Sequence, residues 1–567
     1  MSGLLATSLT GLMAAQRSLE TVQHNISNVN TEGYSRQRVE QGTMPARLTG
    51  DGYIGQGVNV TNITRSYDQF VNRQLSTSLS AFGDVDRFHR LSANIDNIMA
   101  DPSTGIAPVM DRFFNAIHEV ADDPSSIPAR QVLLSEGEIL TSSVNTMSAR
   151  FEEIRTQNNN DIIAMVKDIN SYATAIADLN LQITEGIGKT QGLRQPNDLL
   201  DQQDALIAKL SAIVNVAVLP QQNGTSSIFI GNGQSLVLGG GTATFTTMPS
   251  KFDSNRLEIG LVTGNSATEI TNQISGGSLA GSLRFRDEVL DPAQQKLGRV
   301  AAGLAMEINA LHVNGYDLRG EVGEDFFSFS GVMPVINSSK NTGSAVVTAQ
   351  FQDANVNPTA AGNLDFSDYR LEYTGGNYTL TRLRDNQVIS LTETLDPVLG
   401  AVLTPTVPGD ELAGINIMID STNIQDGDQF LIRPTYSAAQ QFGVNIDDPR
   451  KIAAAITDGP APGDNRNALE LANLANKLGM VGGTASFNDT YNEIVSDVGT
   501  RTRAAGLATS SQGTLLNQAK GARESLAGVN LDEEAANLIK FQQAYQASAQ
   551  AISVARSLFD TLLGAVR

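Results

Sequence analysis

Residues 531–566 read LDEEAANLIKFQQAYQASAQAISVARSLFDTLLGAV. Within them Leu531, Leu538, Phe541, Tyr545, Ser548, Ile552, Ala555, Phe559, Leu562 and Val566 form a series. After a first step of seven the spacing alternates between three and four, the mark of a coiled coil. Asn530, with Asp532, Glu533 and Glu534 just behind it, supplies a capped and negatively charged start. At 1.5 Å per residue such a helix runs about 52 Å, too long to fold back into a small core. It needs a partner along its length. The other end of the chain offers one, because Leu5, Leu12, Leu19, Val22, Ile26 and Val29 fall at matching positions, with Ser8 and Ala15 in the gaps.

Neither residues 1–16 nor residues 541–555 carry a charged side chain. A solvated coiled coil places Glu and Lys on its outer positions. Here those positions hold Ala, Gln, Ser and Thr, so more than one face is expected to become buried, one against the partner helix and another against neighbouring subunits. A two-helix hairpin packed within one chain is the plainer alternative. Without neighbours the ends are expected to fray.

Inside the ends, helical periodicity covers residues 68–100, 106–120, 129–186, 197–213, 283–313 and 467–526. The segment 151–183 carries a stripe of Phe151, Ile154, Ile162, Met165, Ile169, Tyr172, Ile176, Leu179 and Ile183. DPSTG at 101–105 and DDPSSIP at 122–128 punctuate the helices, and VNPTAAGN at 356–363 and TDGPAPGDN at 457–465 read as exposed loops. Two interludes rich in Thr, Val, Ile, Gly and Asn read as strands. The expected fold is therefore an α+β multidomain protein, with a terminal coiled coil and a long helical bundle formed from both ends of the chain. Residues 1–45 pair with 528–567, and 46–214, 281–320 and 441–527 make a discontinuous bundle. Residues 215–280 and 321–440 are inserted β-rich domains.

Length and charge narrow the function. The chain has 567 residues, and 39 Lys and Arg against 60 Asp and Glu leave a net charge of −21. That balance argues against nucleic acid or an anionic membrane as partner. The absence of cysteine removes disulfides, thiolate metal sites and cysteine nucleophiles. No apolar run is long enough to span a bilayer, and MSGLLATSLTGLMAAQR lacks the basic start of a secretory signal. By these rules alone the chain reads as a soluble cytoplasmic protein.

No catalytic, cofactor-binding or metal site is expected. Gly186-Ile187-Gly188-Lys189-Thr190 has the end of a phosphate-binding loop, but Ile183 stands where that loop needs glycine, and helix precedes it. Gly276-Gly277-Ser278-Leu279-Ala280 misses the last glycine of a nucleophile elbow and reads as a turn into the helix that follows. None of His24, His89, His118 and His312 stands at ligand spacing from another. His24 is expected at the assembly seam and His312 near a helix end.

The stretch GLMAAQRSLETVQHNISNVNTEGYSRQRV resembles the N-terminal signature of bacterial flagellar axial proteins, in which a helix ends in an N-T-x-G-Y turn. Here that turn is Asn30-Thr31-Glu32-Gly33-Tyr34, with Glu32 where many relatives carry proline. The continuation Ser35-Arg36-Gln37 is similar to that of the flagellar hook-associated protein 1 family. GVNLDEEAANLIKFQQAYQASAQAI (528–552), QPNDLLDQQDALIAKLS (195–211), ISGGSLAGSLRFRDEVLDPAQQKLGRVA (274–301), LHVNGYDLRGEVGEDFF (311–327) and GDNRNALELANL (463–474) are also similar to it. The likeness spans nearly the whole chain and is weakest near 330–440.

The resemblance implies an extracellular structural subunit of the flagellum, which replaces the cytoplasmic reading. Copies would form a ring on the hook protein, beneath a second hook–filament junction protein. A dedicated chaperone would hold the C-terminal helical region before exit through the flagellar type III export apparatus without cleavage. Leu5, Leu12, Leu19, Val22, Ile26, Val29, Leu531, Leu538, Phe541, Tyr545, Ile552, Phe559, Leu562 and Val566 are the expected assembly residues. Tyr34, Ser35, Arg36 and Gln37 join them unless they form a plain turn. A rod or hook paralogue, and a secreted adhesin or enzyme carried through the 321–440 insert, are the alternatives.

Overall fold

The computed structural model describes residues 2–50, 52–101, 105–231, 233–407 and 412–566. Helix α1 (Ser2–Ser27) and the last helix, α11 (Leu531–Val566), lie antiparallel, with Gly11 against Ser548 and Asn25 against Glu534. This pair is a rod of about 54 Å. Residues 46–65, expected in the bundle, instead complete a β-ribbon of Gln37–Thr43 and Val58–Arg65 laid along α1. Val58 N–H donates to Thr10 Oγ1 at 3.3 Å, and Gln41 Nε2 to Ser18 Oγ at 3.2 Å. A register shift between Glu40 and Gln41 interrupts the ribbon's alternation.

The bundle follows. Helix α2 (Gln69–Ala100) is capped by Asp68, whose carboxylate accepts from the Phe70 and Val71 amides. It is followed by α3 (Ala107–Asp122), α4 (Ile127–Lys189) and α5 (Asn197–Ile213). Of the DPSTG punctuation, residues 102–104 lie outside the described residues. The expected helix over 283–313 starts earlier, as α6 (Gly277–Phe285), and passes through a π-turn (Arg286–Leu290) into α7 (Asp291–His312). Gly186 to Lys189 close α4 as helix, which leaves no phosphate loop there.

The 63 residues of α4 span about 95 Å, and its apolar stripe serves three cores in succession. Phe151 enters the bundle core with Ile95, Phe113, Leu297 and Tyr491. Ile162, Val166, Ile169 and Ile176 lie under the first β domain, and Leu179 and Ile183 meet Leu200 of α5. That first domain has a four-stranded sheet from Val216 to Thr242 and a three-stranded sheet from Thr244 to Glu269. Ile228, Leu236, Phe245 and Ile259 close its core on α4.

The second insert is a barrel. Val332–Met333 pairs with Val346–Phe351 at one end of its sheet, and Val335–Asn337 pairs with Gln429–Ile432 at the other. One stretch, interrupted at Pro334, thus joins both edges and leaves neither open. Leu371, Leu380, Leu403, Ile417 and Ile432 fill the interior. The expected loop 356–363 is exposed only at its start, because Ala360–Asn363 forms a short helix, α8, with Ala360 and Ala361 fully buried. The helix expected over 467–526 is two, α9 (Arg466–Asn473) and α10 (Phe487–Ala527). Gly479, Gly482 and Gly483 turn the chain between them, and a capping box of Ser486 and Asp489 restarts it.

His312 ends α7 fully buried. Its Nδ1 donates to the Glu324 carbonyl, and its Nε2 accepts from Ala453 N–H at 2.9 Å, so the ring is neutral. Burial holds its pKa down to about 4 from an ordinary 6.5. The unfolded chain therefore takes up the proton first. The stability this neutral ring supplies is complete above pH 6.5 and is lost as pH falls from there towards 4. Urea titrations at pH 7 and pH 4 are expected to show the parent chain losing about 3 kcal/mol more than His312→Gln. Equal losses would exclude the histidine as the cause.

Candidate functional site: the joint between rod and bundle

The turn that ends α1 ties the rod to the bundle. Asn25 is buried and uses every hydrogen-bonding position of its amide. Its Oδ1 accepts from Tyr34 Oη at 2.7 Å and Gln37 N–H at 2.9 Å. Its Nδ2 donates to the Gln37 carbonyl at 2.9 Å and to Glu534 Oε2 at 3.2 Å. Gly33 turns the chain at φ +87, where a Cβ would also stand 2.9 Å from that of Ala205. Arg36 reaches α11, with Nε on Glu534 at 2.7 Å and Nη1 and Nη2 on Glu533 at 3.0 and 2.8 Å. Glu534 is 1% exposed, so this ion pair is shielded as surface pairs are not.

Helix α5 supplies the other side. Asp198, Asp201 and Asp204 stand three residues apart and so share a face. Asp198 accepts from Gln37 Nε2 at 2.7 Å and lies 3.3 Å from His24 Nε2. Asp201 accepts from Ser35 N–H at 2.9 Å, and Arg65 Nη1 bridges Asp201 and Asp204 at 2.8 and 2.6 Å. From α10, Arg523 Nη2 donates to the Gly33 carbonyl at 2.6 Å. Burial, helped by Asp198, Asp201 and Glu534, raises the Tyr34 phenol well above its ordinary 10. It stays a donor at any physiological pH.

All of Tyr34, Ser35, Arg36 and Gln37 are thus engaged within the chain. His24 sits at this joint, edge-on to Tyr34 with ring centroids 5.6 Å apart, and not on the seam between the helices. Burial along α1 reaches beyond the expected series. Of the N-terminal residues only Val22 is buried, and Leu12, Leu19, Ile26 and Val29 are half-buried. Ala14, Ala15, Ser18, Thr21 and Asn25 are buried as well, between α11 and the ribbon. Small side chains let α1 approach both α11 and the ribbon. On α11, Leu538, Phe541 and Ile552 are half-buried, whereas Leu531, Tyr545 and Phe559 are exposed like Leu5. The side chains of Leu562 and Val566 lie outside the described residues.

A groove of about 1040 Å³ opens beside the joint, between α2, α5, α10 and the strand Val216–Pro220. Its rim mixes Arg73, Lys520 and Arg523 with Glu32, Asp204 and Glu524. Among the described residues no group of three or more His, Asp or Glu is placed to hold a metal ion. No helix there is long and apolar enough to cross a membrane.

The fold and joint define a class: chains whose two ends make one helical rod, carried below a head of helices and β domains. Known families match segment by segment. Residues 92–327 match the flagellar hook-associated protein FlgK helical domain, and 336–434 the D2-like domain of flagellar hook-associated protein 1. The ends, 5–34 and 524–565, match the flagella basal body rod protein family and the C-terminal family of the rod proteins FlgEFG. Flagellar hook-associated protein 1 of Escherichia coli (strain K12) is 33% identical over 566 residues, 99% of this chain and 100% of that one. The Bacillus subtilis (strain 168) protein is 26% identical over 99% and 97% of the two chains. The solved flagellar hook junction protein FlgK from Burkholderia pseudomallei superposes with a TM-score of 0.70 at 24% identity, covering 80% of this chain and 100% of that one. The chain belongs to the flagellar hook-associated protein 1 family, and so to the structural proteins of the bacterial flagellum.

Proposed function

We propose that this chain is the hook-side subunit of the hook–filament junction, forming a ring on the hook protein beneath a second junction protein and serving as the adaptor on which the filament starts. The observation that carries this reading is the rod's outer surface. Leu4, Leu5, Leu9 and Met13 of α1 and Ile539, Val554, Leu558 and Phe559 of α11 are all exposed. The charge-free stretches 1–16 and 541–555 share that surface. Apolar area of this kind on a rod is covered in a head-to-tail lattice, where each subunit needs two unlike contact faces. Leu5, Leu531, Tyr545 and Phe559 then meet neighbours. Leu12, Leu19, Ile26, Val29, Leu538, Phe541 and Ile552 are shared between the seam and those contacts, and Val22 is internal.

Export through the flagellar type III apparatus, with a chaperone covering the exposed C-terminal helix until docking, belongs to the same reading. The working location is the extracellular flagellum. The role is structural, as membership of the family implies. Cells lacking the gene are expected to carry bare hooks and to lose flagellin to the medium; normal filaments would sink the adaptor reading. The small-residue seam buries little apolar surface, so the rod orders fully only on docking. In the isolated chain, amide exchange is expected to be fast over 1–40 and 528–567 and slow in the bundle. Slow exchange at both ends would refute ordering on docking.

A further inference from the structure

The bundle and the first β domain meet at one largely shielded carboxylate, and the barrel joins beside it. Asp291, at the start of α7, accepts from Arg155 Nη1 of α4 and from Arg256 Nη1 of the first β domain, each at 2.6 Å. The π-turn just before it brings Asp287 onto the same side, where Arg256 Nη2 donates at 2.7 Å. Burial alone would raise the Asp291 carboxyl, but Arg155, Arg256 and Arg286 outweigh it and hold the pKa at about 2.

The barrel joins through Arg433, as the chain leaves its last strand. Arg433 donates to Asp368 of the barrel at 3.0 Å and to Asp253 of the first β domain at 2.8 Å. Its guanidinium lies 3.4 Å above the Tyr436 ring, and Arg155 stands 5.6 Å from that same ring. Tyr436 Oη closes the circuit on Glu152 of α4 at 2.6 Å. Among the described residues, no buried apolar cluster contains residues of both β domains. Each domain's core closes on the bundle, the first on α4 and the barrel on Ala302 and Met306 of α7, and charge and hydrogen bonding make the direct link between the two.

We propose that Asp291 is a latch which holds the first β domain and the barrel at one fixed angle on the bundle, making the three a single stiff head. A fixed head confines bending to the polar joint of the rod. Removing the carboxylate takes away the partner that Arg155 and Arg256 share and leaves an excess of positive charge in a shielded space, which loosens the domains from one another without touching either domain's own core.

The chain has no cysteine, so two introduced ones can be spin-labelled without background. With labels at Ser266→Cys in the first β domain and Thr392→Cys in the barrel, both exposed, double electron–electron resonance on the full chain is expected to give one narrow distance. Asp291→Ala is expected to abolish that single distance, while a bundle pair at Ser142→Cys and Ser510→Cys keeps its own. Arg256→Met, which retains the methylene stem, provides the same readout should Asp291→Ala fail to fold. A narrow distance surviving in either folded variant, or a broad one in the parent, would overturn the latch.

Discussion

Replacing Asn25 with leucine is expected to leave the head folded and strip filaments from the cell. Leucine matches asparagine in size but meets none of its four partners. Tyr34 Oη, both backbone groups of Gln37 and one oxygen of Glu534 lose their bonds together. Glu534 matters most, because it is a buried carboxylate whose other oxygen depends on Arg36 alone. Stranding buried polar groups costs about 1–3 kcal/mol each, so a total near 4 kcal/mol weakens the docked joint roughly a thousandfold. None of these atoms belongs to the bundle core, and the melting of the head should not move. The measurement is the fraction of cells with attached filaments, with flagellin in the medium as its complement. Wild-type filament numbers at wild-type levels of the variant would show that the joint is not needed for docking.

The joint also marks the boundary of what the sequence reveals. Helix α11 was legible because its own residues repeat every three or four positions, and α4 because a long stripe needs no partner to be seen. The burial of Ala14 and Ser18 was not legible, because periodicity weights large apolar side chains, whereas a close approach selects small ones. Asn25 and Glu534 are 509 positions apart, and Asp201 and Ser35 are 166. Nothing local announces such pairs. The three-residue spacing of Asp198, Asp201 and Asp204 was the one available signal, and it identifies a face without naming what the face receives. The barrel's closure through 332–337 was beyond reach for the same reason, since edge pairing is long-range. The break before α10 was not: Gly479, Gly482 and Gly483 are stop signals in plain view.

Two glycines of α7 set local propensity against packing. By helix propensity, changing either Gly298 or Gly303 to alanine gains about 1 kcal/mol. At Gly298 the new Cβ would stand 1.7 Å from the Thr435 carbonyl oxygen and 2.7 Å from its carbon, both backbone atoms. Thr435 lies between Arg433 and Tyr436, which are themselves held by Asp253, Asp368 and Glu152, so the turn that follows the last barrel strand cannot retreat freely. At Gly303 the obstacles are the Met480 sulfur and methyl at 2.6 and 2.7 Å, the far end of an adaptable side chain. Overpacking against fixed backbone costs about 3 kcal/mol or more, which reverses the propensity gain. Gly298→Ala is therefore expected to lower the urea midpoint and loosen the barrel from α7, while Gly303→Ala stays within about 1 kcal/mol of the parent chain. The difference between the two tests the packing argument, because propensity treats them alike. Equal midpoints would mean that the turn leaving the barrel yields as easily as a methionine, and the stiffness assigned to that contact would have to lie elsewhere.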